Sequence, residues 1–273
     1  ERPIILKKKR LDEACMELYP DYTRNIIQSF IAQGYVFVNN TKVTKAGAPV
    51  PNNAVIRITA EVPKYVCRAG LKLERALDYF KVDVRGEIVL DSGLSTGGFS
   101  DCLLQRGAKR VYGVDVGYGQ VAEKIRVDPR VVVLERTNLK HLTREMLEGN
   151  TPSMATLDLS FISVLKVMPH VSRLLSRDAT VIILIKPQFE AEKHNVGSGG
   201  VVRDPMIHKL VIQNVVNGMD HLGFQSQGWT ESPIKGATSG NTEFLALFTR
   251  TYDSNSGNPI AEDPDTDIDG LDD

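Results

Sequence analysis

The sequence lacks three features that would each define a class of protein: paired cysteines, a histidine metal motif and a long apolar run. Cys15, Cys67 and Cys102 form no Cys-x-x-Cys pair, which favours reduced thiols in a reducing compartment. The five histidines form no His-Glu-x-x-His pattern, so we expect no metal ion. The apolar runs, such as residues 181–185, are far shorter than the ~20 residues that span a bilayer. We therefore expect no membrane partner.

Charge is unevenly distributed, although the net charge is only −1. Residues 251–273 contain eight of the 34 acidic residues and none of the 33 basic residues, so residues 1–250 carry 33 basic against 26 acidic residues. A basic body suits a polyanionic partner. The acidic segment is rich in Asp, Asn, Gly, Pro and Ser and poor in apolar residues, which predicts a disordered tail.

The sequence begins at Glu1 and not at Met, and its basic start is not followed by an apolar stretch of signal length. We interpret the chain as a shortened or processed form from which a targeting peptide could have been removed. This start and the acidic tail favour a eukaryotic organelle, a chloroplast or mitochondrion. The bacterial cytoplasm is the alternative.

Residues 1–60 predict a small α+β domain. Apolar residues at helical spacing on both sides of Pro20 predict two short helices, and residues 35–38 and 54–59 are typical of strands. The residues Arg10-Leu11-Asp12, Thr23-Arg24 and 31–39 resemble the S-four RNA-binding domain. That resemblance implies contacts between basic side chains and RNA backbone, for which the candidates are Lys7, Lys8, Lys9, Arg10, Arg24 and Lys42.

Residues 67–250, which follow a predicted linker at residues 61–66, favour an α/β domain. Short apolar runs alternate with helical segments, as in βαβ units that build a mainly parallel sheet with helices on both faces. The predicted strands are residues 88–90, 111–114, 131–134, 154–157, 181–185 and 244–248.

The most informative local pattern is a strand that ends in Asp91 and leads through a glycine-rich turn into a helix. The order Asp-x-Gly-x-x-x-Gly-Gly differs from the dinucleotide fingerprint and lacks a P-loop lysine. Glycines let the backbone approach a ligand closely, and this shape is typical of methyltransferases that use S-adenosylmethionine (SAM). Asp115 ends the second strand and could accept both ribose hydroxyls, whereas Asn138 could contact adenine or only form a turn. The predicted cofactor site comprises Asp91, Gly93, Ser95, Thr96, Gly97, Gly98, Phe99, Asp115, Asn138 and Asp158.

Four charged residues occupy positions where their side chains could converge. Lys72 lies near the start of a helix, Asp158 and Lys186 end the fourth and fifth strands, and Glu243 opens a later strand. The carboxyl ends of parallel strands meet at one edge of the sheet, where ligands bind. A structural salt bridge between Lys186 and Asp158 is the alternative interpretation.

These patterns together resemble the TlyA family, which joins an S-four domain to an FtsJ-like ribose methyltransferase domain and is often labelled haemolysin. The matching pieces are residues 68–73, 91–101, 113–120, 136–138, 158–163, 186–189 and 240–244. The resemblance implies the catalytic tetrad Lys72, Asp158, Lys186 and Glu243, the cofactor SAM, and 2′-O-methylation of ribosomal RNA, with cytidine as the family's target. The chain departs from the family pattern at Ala69, Ser92 and Leu94, and Leu94 lies in the cofactor turn.

A ribose hydroxyl is a weak nucleophile at neutral pH, and a neutral lysine amine can accept its proton while the oxygen attacks. We assign this role to Lys186. Arg68 is a further candidate for contacts with RNA phosphate. Arg203 is another, in a glycine-rich loop at residues 197–205 that could close over the RNA or be a plain surface loop. We expect a monomer that acts on ribosomal RNA or ribosomal subunits.

Three other classes of function remain as alternatives. A base methyltransferase is disfavoured because the two prolines typical of amino-group enzymes do not follow Asp158, and because none of the three cysteines lies at a strand end, as cysteine-based enzymes require. A non-catalytic SAM- and RNA-binding assembly factor would not need the charged tetrad. A membrane-damaging protein would need an inserting segment, and the sequence offers none.

Overall fold

The structure is a computed structural model that describes residues 8–20, 22–60, 63–237 and 240–251. Lys7 and the predicted tail beyond Thr251 lie outside the described residues. The chain divides into two compact units, residues 1–62 and residues 63–273. Within the described ranges, no helix has the length and apolar character needed to cross a membrane.

The described residues of the first unit form two helices and two small sheets. Its core is built from one apolar face of each helix, including Leu11 and Cys15 on the first and Ile27 and Ile31 on the second. The side chain of Thr23 caps the second helix by accepting a hydrogen bond from the backbone NH of Ile26. The elements are β1 (Lys8–Arg10), α1 (Leu11–Leu18), α2 (Arg24–Ala32), β2 (Val36–Val38), β3 (Thr41–Lys42), β4 (Pro49–Pro51) and β5 (Ile56–Ile58).

The two predicted helices and the hairpin are confirmed, whereas the pairing of β1 with β4 was not predicted. Each of these strands has only three residues, and β4 begins and ends with proline. Proline is depleted in strands, so the sequence of β4 does not indicate one. The other three strands form a sheet in the order β3-β2-β5.

In the second unit, the residues that the structure describes form a seven-stranded sheet covered by helices. Its strands are β6 (Ile88–Ser92), β7 (Arg110–Val114), β8 (Val131–Leu134), β9 (Met154–Leu157), β10 (Thr180–Ile185), β11 (Phe224–Glu231) and β12 (Phe244–Arg250). Its helices are α3 (Ala69–Phe80), α4 (Gly98–Gln105), α5 (Glu123–Arg126), α6 (Val164–Ser172), α7 (Pro187–Glu190) and α8 (Pro205–His221). The strand order is β11-β12-β10-β9-β6-β7-β8, in which β11 and β12 are antiparallel to their neighbours and the remaining pairs are parallel.

Both faces of this sheet carry a buried apolar core, as predicted. In β10, Ile183 and Ile185 belong to the core that includes residues of α6 and α8, whereas Ile182 and Leu184 belong to the core that includes residues of α3 and α4. This alternation follows from the two-residue period of a strand. The almost wholly apolar sequence of β10 is therefore that of a strand buried on both faces.

The edge strand β11 was not predicted. Exposed and less exposed residues alternate along it, but its only large apolar residues are Phe224 and Trp229, and its pairing with β12 shifts register between Ser226 and Gly228. An edge strand that has one solvent-exposed face and a β-bulge lacks the continuous apolar run from which a strand is predicted. The predicted linker at residues 61–66 is described only from Pro63. Within it, Tyr65 is buried in the core of the second unit and the backbone NH of Val66 donates to the Asp101 carboxylate.

Candidate active site

Lys186 and Asp158 form a largely buried ion pair at the carboxyl edge of the sheet. Nζ of Lys186 lies 2.7 Å from Oδ1 of Asp158, and the two side chains are 10% and 15% exposed. The same amine donates a hydrogen bond of 3.0 Å to Oγ of Ser160. Two partners therefore fix the direction of the lysine side chain, because a paired and hydrogen-bonded ammonium has few other orientations of similar energy.

Lys72 and Glu243 form a second, more deeply buried pair. Nζ of Lys72 lies 2.5 Å from Oε2 of Glu243, with side-chain exposures of 8% and 3%. The pair joins α3 to the residue that precedes β12, across 171 positions of sequence. Removing water from two charges is costly, so such a pair is weak evidence for stability and better evidence that the position requires charge.

The register of the sheet brings the two pairs to the same edge. Ile185 is paired with Phe244, so Lys186 and Glu243 are the next positions on two adjacent strands. Leu157 of β9 is paired with Ile183 of β10, which places Asp158 on the other side of Lys186. Adjacent strands are about 4.8 Å apart. The structure thus brings all four predicted tetrad residues together at the ends of neighbouring strands and on the facing helix.

The glycine turn that follows β6 lies directly beside Asp158. Gly93 has φ +89, and a Cβ there would collide with the carbonyl oxygen of Asp158. The backbone NH of Asp158 in turn donates to the carbonyl oxygen of Ser92, at 2.9 Å. Gly97 has φ +100, and a Cβ there would lie 2.9 Å from Ile125. Both positions therefore require glycine, and the turn leaves a backbone surface that a ligand can approach closely.

Asp115 is hydrogen-bonded to the backbone of this turn. Its Oδ2 accepts a 2.7 Å hydrogen bond from the backbone NH of Ser95, and its Oδ1 accepts one of 2.7 Å from Gly117. The side chain is only partly buried, and a carboxylate has about four acceptor sites, so it retains capacity for further donors. Thr96, which precedes α4 in the turn, is half-buried, and its carbonyl oxygen accepts a hydrogen bond from the backbone NH of Ala122. The turn and Asp115 together fit a nucleoside-containing cofactor such as SAM.

Asp91 lies beneath the turn and is fully buried. Its carboxylate accepts hydrogen bonds from Ser100 Oγ at 2.6 Å and from Thr156 Oγ1 at 2.8 Å. Burial raises the pKa of this carboxyl to about 6, against the opposing effect of the two hydroxyl donors. These contacts join β6 to α4 and β9, so they support a structural role of Asp91 in holding the three elements together. A contact between Asp91 and the cofactor stays a prediction.

Three other predicted cofactor residues are explained largely by local packing. Phe99 is 3% exposed, and a Cβ on Gly98 would collide with Cys67 of the segment before α3. These two residues therefore permit the close packing of α3 on α4. Asn138 is exposed and accepts a hydrogen bond of 2.9 Å from the backbone NH of Lys140, which is the turn role that the sequence left open.

Leu94, where the resembled family has a smaller residue, does not obstruct the turn. It is 2% exposed and packs against Gly113 of β7, where a Cβ would lie 2.7 Å from it. The larger side chain therefore fills space below the sheet edge, in the same core as α3 and α4.

Phe161 is a candidate that the sequence did not reveal. It is 91% exposed and has φ +66, a conformation that is strained for a bulky residue. It follows Ser160, the hydrogen-bond partner of Lys186, and its ring centroid lies 5.1 Å from that of Phe189. Outliers of this kind cluster at ligand sites, and an exposed aromatic ring here presents a flat surface beside the ion pairs.

The candidate RNA-binding side chains of the first unit fall into two groups. Nζ of Lys9 is paired with Glu17 at 2.6 Å, and Arg10 makes two 3.0 Å hydrogen bonds to the buried Asp12. Those two bonds lower the pKa of Asp12 to about 2. Lys8, Arg24 and Lys42 are instead exposed on β1, α2 and β3. The exposed group presents charge that is available to a polyanion.

Arg68 and Arg203 are exposed on the second unit. Arg68 donates to the carbonyl oxygen of Lys235. Arg203 follows Val202, whose backbone NH donates to Oδ1 of Asn241 at 2.9 Å. The glycine-rich loop at residues 197–205 is thus tied to the segment that carries Glu243. Among the described residues, no group of three or more His, Cys, Asp or Glu side chains could hold a metal ion, and the expected absence of a metal stays a prediction.

Comparison with known proteins agrees with this geometry. Residues 65–250 match the family model of FtsJ-like methyltransferases, and residues 9–56 match that of the S4 domain. The chain is 42% identical over 239 residues to "Hemolysin A" of Brachyspira hyodysenteriae, which covers 88% of this chain and 99% of the relative. It is 40% identical over 247 residues to "16S/23S rRNA (cytidine-2'-O)-methyltransferase TlyA" of Mycobacterium tuberculosis, with 90% and 91% covered.

A solved structure is also similar: "Putative hemolysin" from Streptococcus thermophilus, with a TM-score of 0.68, 37% identity and 90% of each chain covered. The fold and the strand-edge site define the second unit as a Rossmann-like methyltransferase, preceded by an S4 domain. The chain belongs to the TlyA family of FtsJ-like methyltransferases.

Proposed function

We propose that the protein is a SAM-dependent methyltransferase that modifies the ribose 2′-hydroxyl of a nucleotide in ribosomal RNA, with cytidine as the target. The observation that supports this most directly is that two largely buried ion pairs lie next to the glycine turn. They are Lys186 with Asp158 and Lys72 with Glu243. Acceptance of a hydroxyl proton needs a lysine held in one direction beside the cofactor. The M. tuberculosis relative carries the name of an enzyme with this activity.

The cofactor site is formed by the turn at Gly93 to Gly97 and by Asp115. The turn supplies backbone that can approach the cofactor, and Asp115 supplies acceptors for ribose hydroxyls. SAM, when bound, supplies a methyl group activated by its positively charged sulfur. Asp158 touches Gly93 through its carbonyl oxygen, so the same residue borders the cofactor turn and orients Lys186.

The Lys186 ammonium first gives a proton to solvent, and the resulting neutral amine accepts the proton of the attacking 2′-hydroxyl. Asp158 and Ser160 orient this amine. Lys72 and Glu243 position the ribose and balance the charge of the site. Phe161 presents its ring to the nucleobase, because a stacked base fixes the sugar relative to the amine. Alignment of the oxygen with the methyl carbon and sulfur supplies much of the rate.

The exposed basic residues of the S4 unit, Lys8, Arg24 and Lys42, bind the RNA backbone, as do Arg68 and Arg203 on the catalytic unit. The substrate is ribosomal RNA or a ribosomal subunit. The relatives named above are bacterial proteins, and an organelle location stays a prediction, as does the monomeric state.

The test is methylation of transcribed 16S and 23S ribosomal RNA, and of subunits that lack the modification, with SAM labelled at its methyl group. We expect label at a small number of ribose positions, mapped as sites resistant to alkaline cleavage. The control is Lys72→Met, which should give no label. Label on bases would contradict the proposal, and SAM binding without transfer to any of these RNAs would favour the assembly-factor alternative.

A further inference from the structure

Helix α6 leads away from the candidate active site. It begins after Ser163, and the loop before it carries Asp158, Ser160 and Phe161. The Glu190 carboxylate accepts hydrogen bonds from Ser163 Oγ at 2.6 Å and from the backbone NH of Val164 at 2.8 Å. The first turn of α6 is therefore fixed to α7, and the helix continues from the substrate loop along one face of the sheet.

The outer face of α6 is basic. Lys166, His170 and Arg173 are spaced four and three residues apart, so they lie on one side of the helix over about 10 Å. Lys166 and Arg173 are exposed, and His170 is half-buried. Nη2 of Arg173 lies 2.9 Å from Nδ1 of His170.

A neighbouring 3-10 turn at Leu139–His141 adds two further basic side chains. Leu139 packs in the same apolar core as Val167 and Val171 of α6, which brings Lys140 and His141 to the helix. The pKa of His170 is lowered by its burial and then by the positive charges of Arg173, Lys140 and His141. We call Lys140, His141, Lys166, His170 and Arg173 the α6 basic strip.

The α6 basic strip has no acidic partner within the part of the chain that the structure describes, unlike several arginines elsewhere in this unit. Among the described residues, no carboxylate forms an ion pair with any member of the strip. By contrast, Arg110, Arg126 and Arg130 are each paired with a carboxylate at 2.6, 3.0 and 2.8 Å. Like charges placed together repel one another, and an external anion relieves that repulsion.

We propose that the α6 basic strip binds the phosphodiester backbone of the RNA next to the target nucleotide. This inference rests on the proposed function, since the strip begins at the loop that presents Phe161 to the substrate. An RNA strand whose target sugar lies at Lys186 can continue along α6, where successive phosphates meet Lys166 and Arg173. The strip then sets the direction in which the RNA leaves the active site, and it does so without reading sequence.

The acidic sequence after Thr251 is a second candidate polyanion. Arg250, the last residue of β12, donates to the carbonyl oxygens of Ser172 at 2.6 Å and Ser176 at 2.9 Å, so the last described residues of the chain lie beside the carboxyl end of α6. RNA is the favoured occupant because the strip is continuous with the substrate loop. An occupant from the acidic segment is an outcome that the test can detect.

The experiment compares two double variants of the full chain that remove equal charge. Lys140→Gln/Lys166→Gln removes two positive charges from the strip. Lys81→Gln/Lys109→Gln removes two positive charges at exposed lysines, one at the end of α3 and one directly before β7. The dissociation constant for transcribed 23S ribosomal RNA is measured across a series of KCl concentrations. The strip variant should bind roughly tenfold more weakly, and its salt slope should fall by about 2, because about one unit of slope is lost for each phosphate contact removed. The control should change less than about twofold, with SAM affinity unaltered in both variants.

Equal RNA affinity in the two variants would overturn the proposal. Tighter RNA binding by the strip variant would also overturn it, and would indicate that the strip holds the acidic segment. If the unaltered chain binds this RNA but methylates no ribosomal RNA or subunit, the proposed function fails while the comparison of the two variants still decides the strip.

Discussion

Lys186 and Asp158 end neighbouring strands of one sheet, and their side chains meet at 2.7 Å between Nζ and Oδ1. Asp158 also contacts the cofactor turn through its backbone, since its carbonyl oxygen occupies the space that a Cβ on Gly93 would need. One residue therefore ties the position of the lysine amine to the position of the turn. The proposed chemistry depends on that coupling, because proton acceptance and methyl transfer must occur at the same oxygen.

The first prediction concerns Asp115 and SAM affinity. Asp115→Ala should weaken SAM binding by about 10- to 100-fold, because hydrogen bonds to a charged group contribute about 1.5–3 kcal/mol and the variant also loses the contacts that hold Ser95 and Gly117. Calorimetric titration with SAM measures the effect. The matched control is Asp128→Ala, which removes a carboxylate paired with Arg130. Unchanged affinity in the Asp115 variant would remove this residue from the cofactor site.

The second prediction concerns the pH dependence of stability. The pKa of buried Asp91 is raised to about 6, above its usual value near 4, so the folded state prefers the protonated carboxyl. Its contribution to stability is then complete below about pH 4 and is lost as pH rises through 6, by on the order of 3 kcal/mol. The free energy of unfolding of the wild type relative to Asp91→Asn should therefore fall between pH 4 and pH 7. A pH-independent difference between the two proteins would show that the pKa of Asp91 is not raised.

The third prediction separates function from stability at Phe161. Phe161→Gly should leave the melting temperature unchanged or higher, because glycine adopts φ +66 without strain and the exposed ring contributes little burial. Methylation of ribosomal RNA should nevertheless fall at least tenfold while SAM affinity is kept, since the stacking surface for the base is lost. A variant that methylates RNA at the wild-type rate would exclude a role of this ring in substrate positioning.

The fourth prediction compares two arginines of the S4 unit. Arg24 is exposed, whereas Arg10 makes two hydrogen bonds to buried Asp12. Arg24→Gln should weaken RNA binding and leave the melting temperature unchanged. Arg10→Gln should lower the melting temperature, because the buried carboxylate of Asp12 loses its positively charged partner and keeps only the uncharged donors Gln28 and the backbone NH of Glu13. Thermal melts and RNA titrations of both variants measure these effects. A lower melting temperature for Arg24→Gln, with a stability loss absent from Arg10→Gln, would contradict the assignment of Arg10 to structure and Arg24 to RNA binding.

Much of the catalytic unit could be predicted from the sequence because its central strands are short apolar runs ended by charged residues. Asp158 and Lys186 stand out for that reason, and the rule that parallel strand ends share an edge placed them together. The contact of Lys72 with Glu243 depends on packing of α3 against β12 across the whole domain, which spacing along the chain does not encode.

Three further features of this unit depend on tertiary structure in the same way. The hydroxyl partners of Asp91 come from α4 and β9, so nothing next to Asp91 in sequence indicates them. The exposure and positive φ of Phe161 arise from the path of one loop. The edge strand β11 is stabilised by its pairing with β12 and carries no apolar run.

The most direct test of the central claim is the activity of Lys186→Ala and Lys186→Arg with SAM and ribosomal RNA. A guanidinium keeps the positive charge beside Asp158 but does not give up its proton in proteins, so it cannot serve as a base. Both variants should bind SAM within about threefold of the wild type, and both should lose at least about 100-fold in the single-turnover rate of ribose methylation. Near-normal turnover by Lys186→Arg would contradict the assignment of Lys186 as the proton acceptor.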